Sequence, residues 1–523
     1  MELTKLLQSI NIIAKKNIQD NITINKLAYH SSEVEPNTLF VCILGFKTDG
    51  HHYAEVAVKN GAPALVVERF IEDIDVPQFL VADGREALAR LSDRFYDHPS
   101  RDMRLFGVTG TNGKTTITYM TDAVFEAHGL DTGMIGTIMV KSKDKKIPSV
   151  LTTPESLDLQ KYFNNMRSEG VSHVSMEVSS SALALKRTEN VAFDVAAFTN
   201  IHRDHIELHG SFEAYYNAKA SFIRQAPKSS IALLNIDEGL LENLTNETEA
   251  QVVSFGIEND AGHFHVTDID MSNGLPSFTV TQKYPIKSLT HKQIQLKPFR
   301  IHLSVPGFYS IYNALTAIIT GLVNDIPLSV VTNGIENFKG VERRFQILYE
   351  KDFMVIDDLF LNEDNIDAGM NALKEMDFNT IHFVHAVRGN RGVDVNRENA
   401  VRMAERFPEL NITNITLTAS RSHVGELDYV SDDETATIMD VMEDQNIAVD
   451  FHDELHDALE SVIKRIRPND ILLITGAHGM DHGARITFEL LKENKIGIDQ
   501  KAIEKMLKSK TIGMEEMDTL DVS

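Results

Sequence analysis

A single cysteine, Cys42, stands among 523 residues, so no disulfide can form within the chain and a reducing compartment is expected. Basic residues are also scarce: 51 lysines and arginines face 76 aspartates and glutamates, a formal charge of −25. That balance excludes sequence-independent binding of nucleic acid or of an anionic membrane as the main task. Any anionic substrate must therefore be met by local cations and backbone amides. No apolar run approaches the ~20 residues needed to span a bilayer. The start "MELTKLLQSINIIAKK" lacks the charged opening and apolar core of a secretory signal. Internal repeats and low-complexity tracts are missing as well. The expectation is a soluble, cytoplasmic protein, monomeric, with neither nucleic acid nor membrane as a partner.

What is present is an ordinary globular composition, 42% apolar and 24% charged, in a length that suits roughly three domains of about 150 residues each. Residues 1–100 alternate short apolar runs such as "TLFVCIL" and "APALVVE" with helical stretches such as "HHYAEVAVKNG", and close at the polar linker "DHPSRDM". Residues 101–338 carry the strands "RLFGVT", "HVSMEV", "VAAFTN" and "IALLNI" between helical stretches, the rhythm of a parallel sheet covered by helices. Residues 339–523 repeat that rhythm with "FMVIDD", "TIHFVHAV", "ITLTAS" and "DILLITGA", and end in a polar stretch expected to fray. The fold class is α/β throughout, in three domains.

The stretch "VTGTNGKTTITYM", residues 108–120, has the look of a phosphate-binding loop, yet Val108 occupies the place of the usual first glycine. The surroundings supply what the pattern lacks. An apolar strand runs into Gly110, and "TTITYMTDAVFEAHG" reads as a helix closed by Gly129. A strand, a glycine-rich turn and a helix start direct unsatisfied backbone N–H groups toward an anion. Gly110 and Gly113 permit close backbone approach, Lys114 offers a point charge to β- and γ-phosphates, and the Thr115 hydroxyl is placed to reach Mg²⁺. Downstream, Glu177 ends an apolar strand, where ligands of a parallel sheet collect, and can hold Mg²⁺ beside Thr115. The segment "HRDHIELHG" gathers three histidines and two acids, and on its own reads as a solvated loop. Lys219, in "FEAYYNAKASFIRQA", reads as a lysine on a helix face.

The loop "TGTNGKTT" resembles that of the Mur ligases, the ATP-dependent amide-bond ligases of peptidoglycan precursor synthesis, which share it with folylpolyglutamate synthases. The segments "LTTPESLDL", "SMEVSSSAL", "TNIHRDHIELHGSFEAYYNAKASF" and "LNID" follow the same family in order and spacing, nearest its MurE-type branch, which adds the third amino acid to UDP-N-acetylmuramoyl-L-alanyl-D-glutamate. "HSSEVEPNTLFVCILGFKTDGHHYAEVAVKNGA" is similar to the uridine-binding segment of those enzymes. The resemblance implies an N-terminal domain for the UDP-sugar, a central ATP-binding domain and a Rossmann-like C-terminal ligase domain. It implies nucleotide contacts from Gly110, Thr111, Asn112, Gly113, Lys114, Thr115, Thr116, Asn313, Arg344 and Asp357. Thr115, Glu177, His205 and Lys219 are implied as the magnesium site, Lys219 as a CO₂-derived carbamate, and Lys114, Glu177, His205 and Lys219 as the catalytic set. Ser31, Thr152, Thr153, Ser179 and Arg187 are implied to hold the UDP-muramoyl-peptide.

The implied reaction phosphorylates a substrate carboxylate with ATP, and an amino acid held by the third domain then attacks the acyl phosphate. The sequence also departs from the family. Ser181 and Leu185 replace a histidine and a glutamine, and Ser310 an asparagine. Phe360 and Asn362 stand where a histidine and a proline are usual, while "RGNRGVDVNR" keeps a glycine-rich turn with Arg391, expected near a phosphate. "TASRSHVGELDY" falls where diaminopimelate-adding members carry Asp-Asn-Pro-Arg, and "GAHGMDHG" replaces Gly-Lys-Gly-His-Glu. The added amino acid is thus open at this point, as are a Mur-type ligase with another carboxylate and amine, and a non-catalytic nucleotide- or UDP-sugar-binding protein.

Overall fold

The computed structural model describes residues 1–45, 48–204, 206–271, 275–390 and 392–507, the side chains of Ile206, Glu207, Asp364 and Leu427 apart. His205, Arg391 and the polar tail from residue 508 onward lie outside the described residues. Three α/β units follow one another along the chain, each built on its own sheet.

The first sheet orders its strands Ala14–Lys16, Gln78–Leu80, Ala64–Val67, Thr38–Val41 and Lys26–Ala28. Only the edge strand Ala14–Lys16 is antiparallel. Leu39, Val41, Ala64 and Val66 point to the face covered by the helix Gly84–Phe95, and Phe40, Cys42, Leu65 and Val67 to the face covered by Ala54–Lys59. Burial on both faces explains why these strands read as unbroken apolar runs.

Seven parallel strands form the middle of the central sheet, in the order Phe264–Asp270, Gln251–Gly256, Ile231–Asn235, Val195–Phe198, Arg104–Thr109, His173–Glu177 and Thr132–Ile135. The chain leaves Arg104–Thr109 toward one side of the sheet and later crosses to Val195–Phe198 on the other. That reversal makes the carboxyl end of Arg104–Thr109 a topological switch point, the place where open α/β sheets bind ligands. The helix Lys114–Ala127 packs on one face beneath the helices Tyr309–Val323 and Leu328–Glu336. Their approach is close enough that a Cβ on Gly334 would meet the Val124 backbone at 2.9 Å.

The sequence pattern anticipates four strands of this parallel middle, and misses Thr132–Ile135, Gln251–Gly256, Phe264–Asp270 and the antiparallel margins. Met139–Ser142 and Lys145–Pro148 extend one side, and Ser277–Gln282 and Phe299–His302 the other. The reason is compositional: "KSKDKKIP" carries the lysines that protect a sheet edge, and these mask its strand periodicity.

The third sheet orders Gln346–Glu350, Met354–Asp358, Ile471–Gly476, Ile381–Ala386, Asn414–Thr418 and Ala448–His452, with only the first antiparallel. Here too the last parallel strand in sequence, Ile471–Gly476, inserts between the first two, and loops gather at the carboxyl ends.

One buried ion cluster fastens the central unit behind its phosphate loop. Lys141, 4% exposed, donates to Asp122 and, at 2.6 Å, to Glu126, both on the helix Lys114–Ala127. Replacing Lys141 by alanine strands the Asp122 carboxylate, itself 6% exposed, and is expected to cost about 3 kcal/mol. Urea unfolding followed by tyrosine fluorescence measures this as a lowered midpoint; an unchanged midpoint would contradict a buried pair.

Candidate active site

The strand Arg104–Thr109 delivers the chain into a loop whose two glycines are sterically required. A Cβ on Gly110 would lie 2.6 Å from Thr199 Oγ1, and one on Gly113 would lie 2.5 Å from Asn313 Oδ1. Gly113 also has φ of +82°, open to glycine at little cost. Asn313, from the helix Tyr309–Val323, thus packs directly on the loop. Asn200 clamps the loop from the neighbouring strand end: its Oδ1 accepts from Asn112 N–H at 2.9 Å, and its Nδ2 donates to Asn112 O at 2.9 Å. The Thr111 hydroxyl accepts from His202 N–H at 2.9 Å and lies 3.0 Å from the Tyr215 hydroxyl. Lys114 Nζ donates to the Gly110 and Thr111 carbonyls, both at 2.9 Å. No side chain caps the helix Lys114–Ala127, whose first-turn N–H groups, Thr115 and Thr116 among them, follow directly from the loop.

Glu177 ends the adjacent parallel strand and is 1% exposed. Its Oε2 accepts from Thr115 Oγ1 and Thr137 Oγ1, both at 3.0 Å, and its Oε1 accepts from Thr137 N–H at 2.7 Å. The carboxylate is thereby fixed against the first helical turn. Oxygen donors gathered around this buried carboxylate form a set suited to a hard divalent cation.

Lys219 also reaches this corner. It lies on the helix Phe212–Arg224, is 1% exposed, donates from Nζ to Gly110 O at 2.7 Å, and rests 4.9 Å above the Tyr215 ring. Burial and the neighbouring Lys114 hold its pKa well below the usual lysine range, against the attraction of Asp204. The lysine read from the sequence as lying on a helix face is therefore on the buried face. Burial lowers the Lys114 pKa as well, opposed by Glu177 and Asp204 and reinforced by Arg344. Arg344 enters from the third unit, half-buried, with Asp358 and Glu177 as its attracting charges and no guanidinium hydrogen bond among the described residues.

Comparison with known proteins accounts for this assembly. Residues 23–96 match the Mur ligase family catalytic domain, 108–321 the Mur ligase middle domain, and 343–478 the Mur ligase glutamate ligase domain. A UDP-N-acetylmuramoyl-L-alanyl-D-glutamate–2,6-diaminopimelate ligase of Clostridium botulinum is 32% identical over 527 aligned residues, covering 97% of this chain and 100% of its own. The chain belongs to the Mur ligase family. A Bacillus velezensis protein of the same name is 36% identical across 75% of this chain and 78% of its own. A solved ligase of that name superposes with a TM-score of 0.64 at 19% identity, covering 97% of this chain and 99% of its own. The Thermotoga maritima MurF ligase, solved in complex with ADP, gives 0.60 at 18% identity, covering 93% of this chain and 100% of its own. These two likenesses establish the shared fold.

In this Mur ligase the residues expected to hold the muramoyl substrate adjoin Glu177. Thr153 Oγ1 donates to Glu177 O at 2.9 Å and accepts from Ser179 N–H at 3.1 Å, while Thr152 Oγ1 lies 3.2 Å from Thr137 Oγ1. Ser179 caps the short helix Ser180–Ala184. Arg187 donates to Thr153 O at 3.1 Å and from Nε to Glu155 Oε1 at 3.0 Å, and Glu155 also accepts from Arg85 of the first unit at 3.2 Å. Ser31 stands apart on the first unit, two residues beyond Tyr29, whose hydroxyl donates to Asp158 at 2.8 Å.

Three features went unread in the sequence. Thr137 supplies two of the hydrogen bonds to Glu177; its only signal was its place after a strand end. Phe360, at the expected histidine position, is 2% exposed and packs on Phe383 in the third-unit core. Arg343 precedes the expected Arg344 and takes φ of +58°. Its guanidinium binds Asp481, Gly476 O and Ala477 O, and its Nε lies 3.5 Å from Asp357. Asp357 accordingly pairs with Arg343, and Asp358, its neighbour on the strand, faces Arg344.

Burial pushes the Asp357 carboxyl up to about 7 and Asp358 up to about 6, Arg343 and Arg344 opposing in part. The folded protein then holds protons that the unfolded chain has already released near its ordinary 3.8. Stability falls as pH rises through about 7 and stays at its lower level above. The third unit is expected to be roughly 2 kcal/mol more stable at pH 6 than at pH 8 from these two groups. Urea titrations at the two pH values measure the difference, and Asp357→Asn is expected to remove most of it.

Proposed function

We propose that this protein is an ATP-dependent amide-bond ligase that adds an amino acid to UDP-N-acetylmuramoyl-L-alanyl-D-glutamate, releasing ADP and phosphate. The observation that carries the proposal is the convergence of Lys114, Thr115, Glu177 and Lys219 on one end of the phosphate loop. Full-length similarity to ligases named for that substrate supports the muramoyl-dipeptide as acceptor and diaminopimelate as the first amine to test.

The chemistry must activate a carboxylate, a poor electrophile, and then protect it. The substrate carboxylate attacks the γ-phosphorus of ATP, ADP leaves, and an acyl phosphate forms. The amine attacks its carbonyl carbon, and phosphate departs from the tetrahedral intermediate. Lys114 and the first-turn N–H groups balance charge on the transferring phosphoryl group, and Arg344 adds a second cation from the third domain. Thr115 and Glu177, with His205, would hold Mg²⁺, which when bound neutralises the phosphate charge. Burial and the neighbouring Lys114 lower the Lys219 pKa, which favours the neutral amine, the form able to capture CO₂ as a carbamate. Thr152, Thr153, Ser179 and Arg187 would orient the muramoyl-peptide beside Glu177, and Ser31 its uridine end. Asn313 and Asp357 complete the nucleotide site. The cytoplasm, where the nucleotide-linked precursor is made, is the proposed location.

A second reading keeps this chemistry with a different amine. It is favoured by Arg421, in the segment that replaces Asp-Asn-Pro-Arg, because its guanidinium is spent on Asp453 at 2.9 Å, Asp432 at 3.1 Å and the Tyr429 hydroxyl.

Mass spectrometry after incubation with Mg-ATP, bicarbonate, the UDP-muramoyl-dipeptide and a pool of amino acids decides between them. A product heavier by one diaminopimelate residue supports the first reading, and another amino-acid increment the second. ATP left intact with no new mass would overturn both. Lys114→Ala is expected to lower turnover by about 10³-fold. Lys219→Ala is expected to lose most activity and to regain part of it with a small carboxylate in solution; full activity in that variant would remove the carbamate.

A further inference from the structure

We propose that Asn365 is a positioning residue that latches the third domain onto the phosphate loop and so couples nucleotide binding to closure over the amine. Asn365 Nδ2 donates to Asn112 Oδ1 at 3.1 Å, a contact spanning 253 residues of sequence. The Asn112 backbone is already clamped on both sides by Asn200, so its side chain is presented from a rigid base. Asn365 is held with equal care. It lies in the first turn of the helix Glu363–Lys374, and its N–H donates to the capping Asn362 Oδ1 at 3.0 Å.

The segment leading into that helix is anchored in turn. Phe360 is sunk in the third-domain core, where a Cβ on Gly369 would meet its ring at 2.5 Å. Leu361 O accepts from Asn399 Nδ2 at 3.2 Å and from Arg388 at 3.4 Å. A donor fixed at both ends in this way cannot follow the loop by bending; it meets Asn112 only when the two domains are in register. A nucleotide held jointly by residues 110–113 and by Arg344 of the third domain favours the docked domain that Asn365 latches, and a docked domain favours the nucleotide, as reciprocity between two coupled equilibria requires. The same docking sets Arg344 toward Glu177 and shields the acyl phosphate from water.

This inference rests on the ligase reading for its kinetic consequence, and its physical test does not. Cys42 is fully buried and burial pushes its thiol up to about 12, so it ignores maleimides. Cysteines introduced at the exposed Glu249 of the central domain and Glu443 of the third then carry a donor and acceptor dye. Mg-ADP is expected to raise energy transfer in the otherwise wild-type chain, and Asn365→Leu, of similar size without a donor, to abolish that rise. Asn365→Ala, tolerated in a helix, serves if leucine does not fit. In the ligase assay the same variant is expected to raise the amine KM about fivefold, to change kcat less than twofold, and to increase ATP hydrolysis without amine. An unchanged nucleotide response in a folded variant, or no response in the parent, would overturn the latch. A response that is lost in the variant, in a protein that makes no muramoyl product, would keep the latch and remove the substrate assignment.

Discussion

Three basic side chains, Lys114, Lys219 and Arg344, are brought to one corner, and burial disfavours the charged form of each. Glu177 is the fixed counter-charge, held by Thr115 and by both groups of Thr137 so that it cannot rotate away. The loop carbonyls of Gly110 and Thr111 accept from Lys114, and that of Gly110 also from Lys219. Such a corner favours an anion, in a protein of strongly negative total charge. The acidity of the whole chain and the basicity of this point are compatible because the basic groups are gathered locally, Lys219 buried and Lys114 and Arg344 half-buried.

The first and third units converge on that corner by different means. Arg85 and Tyr29 join the first unit to the Glu155–Asp158 segment through charged and phenolic contacts beside Thr153. The third unit arrives through Arg344 and Asn365 while Arg343 ties the linker back into its own sheet. Arg343 at positive φ costs backbone strain, offset by several guanidinium hydrogen bonds. The linker thus turns sharply between a residue tied to the third domain's own sheet and one that faces Asp358 and Glu177.

The sequence made the centre legible and the periphery not. Gly110, Gly113, Lys114 and Thr115 could be read because strand, turn and helix follow one another within a dozen residues, and local order leaves a local signal. Glu177 was legible through its strand end. Lys219 was not, since a 3.6-residue pattern tells which face of a helix a lysine occupies only when its neighbours differ clearly in polarity, and here "YYNAKASF" mixes them. Thr137, Asn200 and Asn365 act across long stretches of chain, so no spacing announces them. The edge strands near Lys145 and Phe299 were hidden by the polarity that makes them safe edges. Phe360 shows the converse: a position that looked chemically vacant is filled by packing.

The clamp by Asn200 carries a consequence for the order in which the molecule can be made. The loop residue Asn112 leaves the ribosome 88 residues before the side chain that fixes its backbone, and the strand Arg104–Thr109 remains an unpaired edge on that side until Val195–Phe198 has followed. A nascent chain therefore displays the complete phosphate-loop sequence well before it has a phosphate loop. The shape of the loop thus depends on Val195–Phe198 and Asn200 having been made, and not on the appearance of the motif alone.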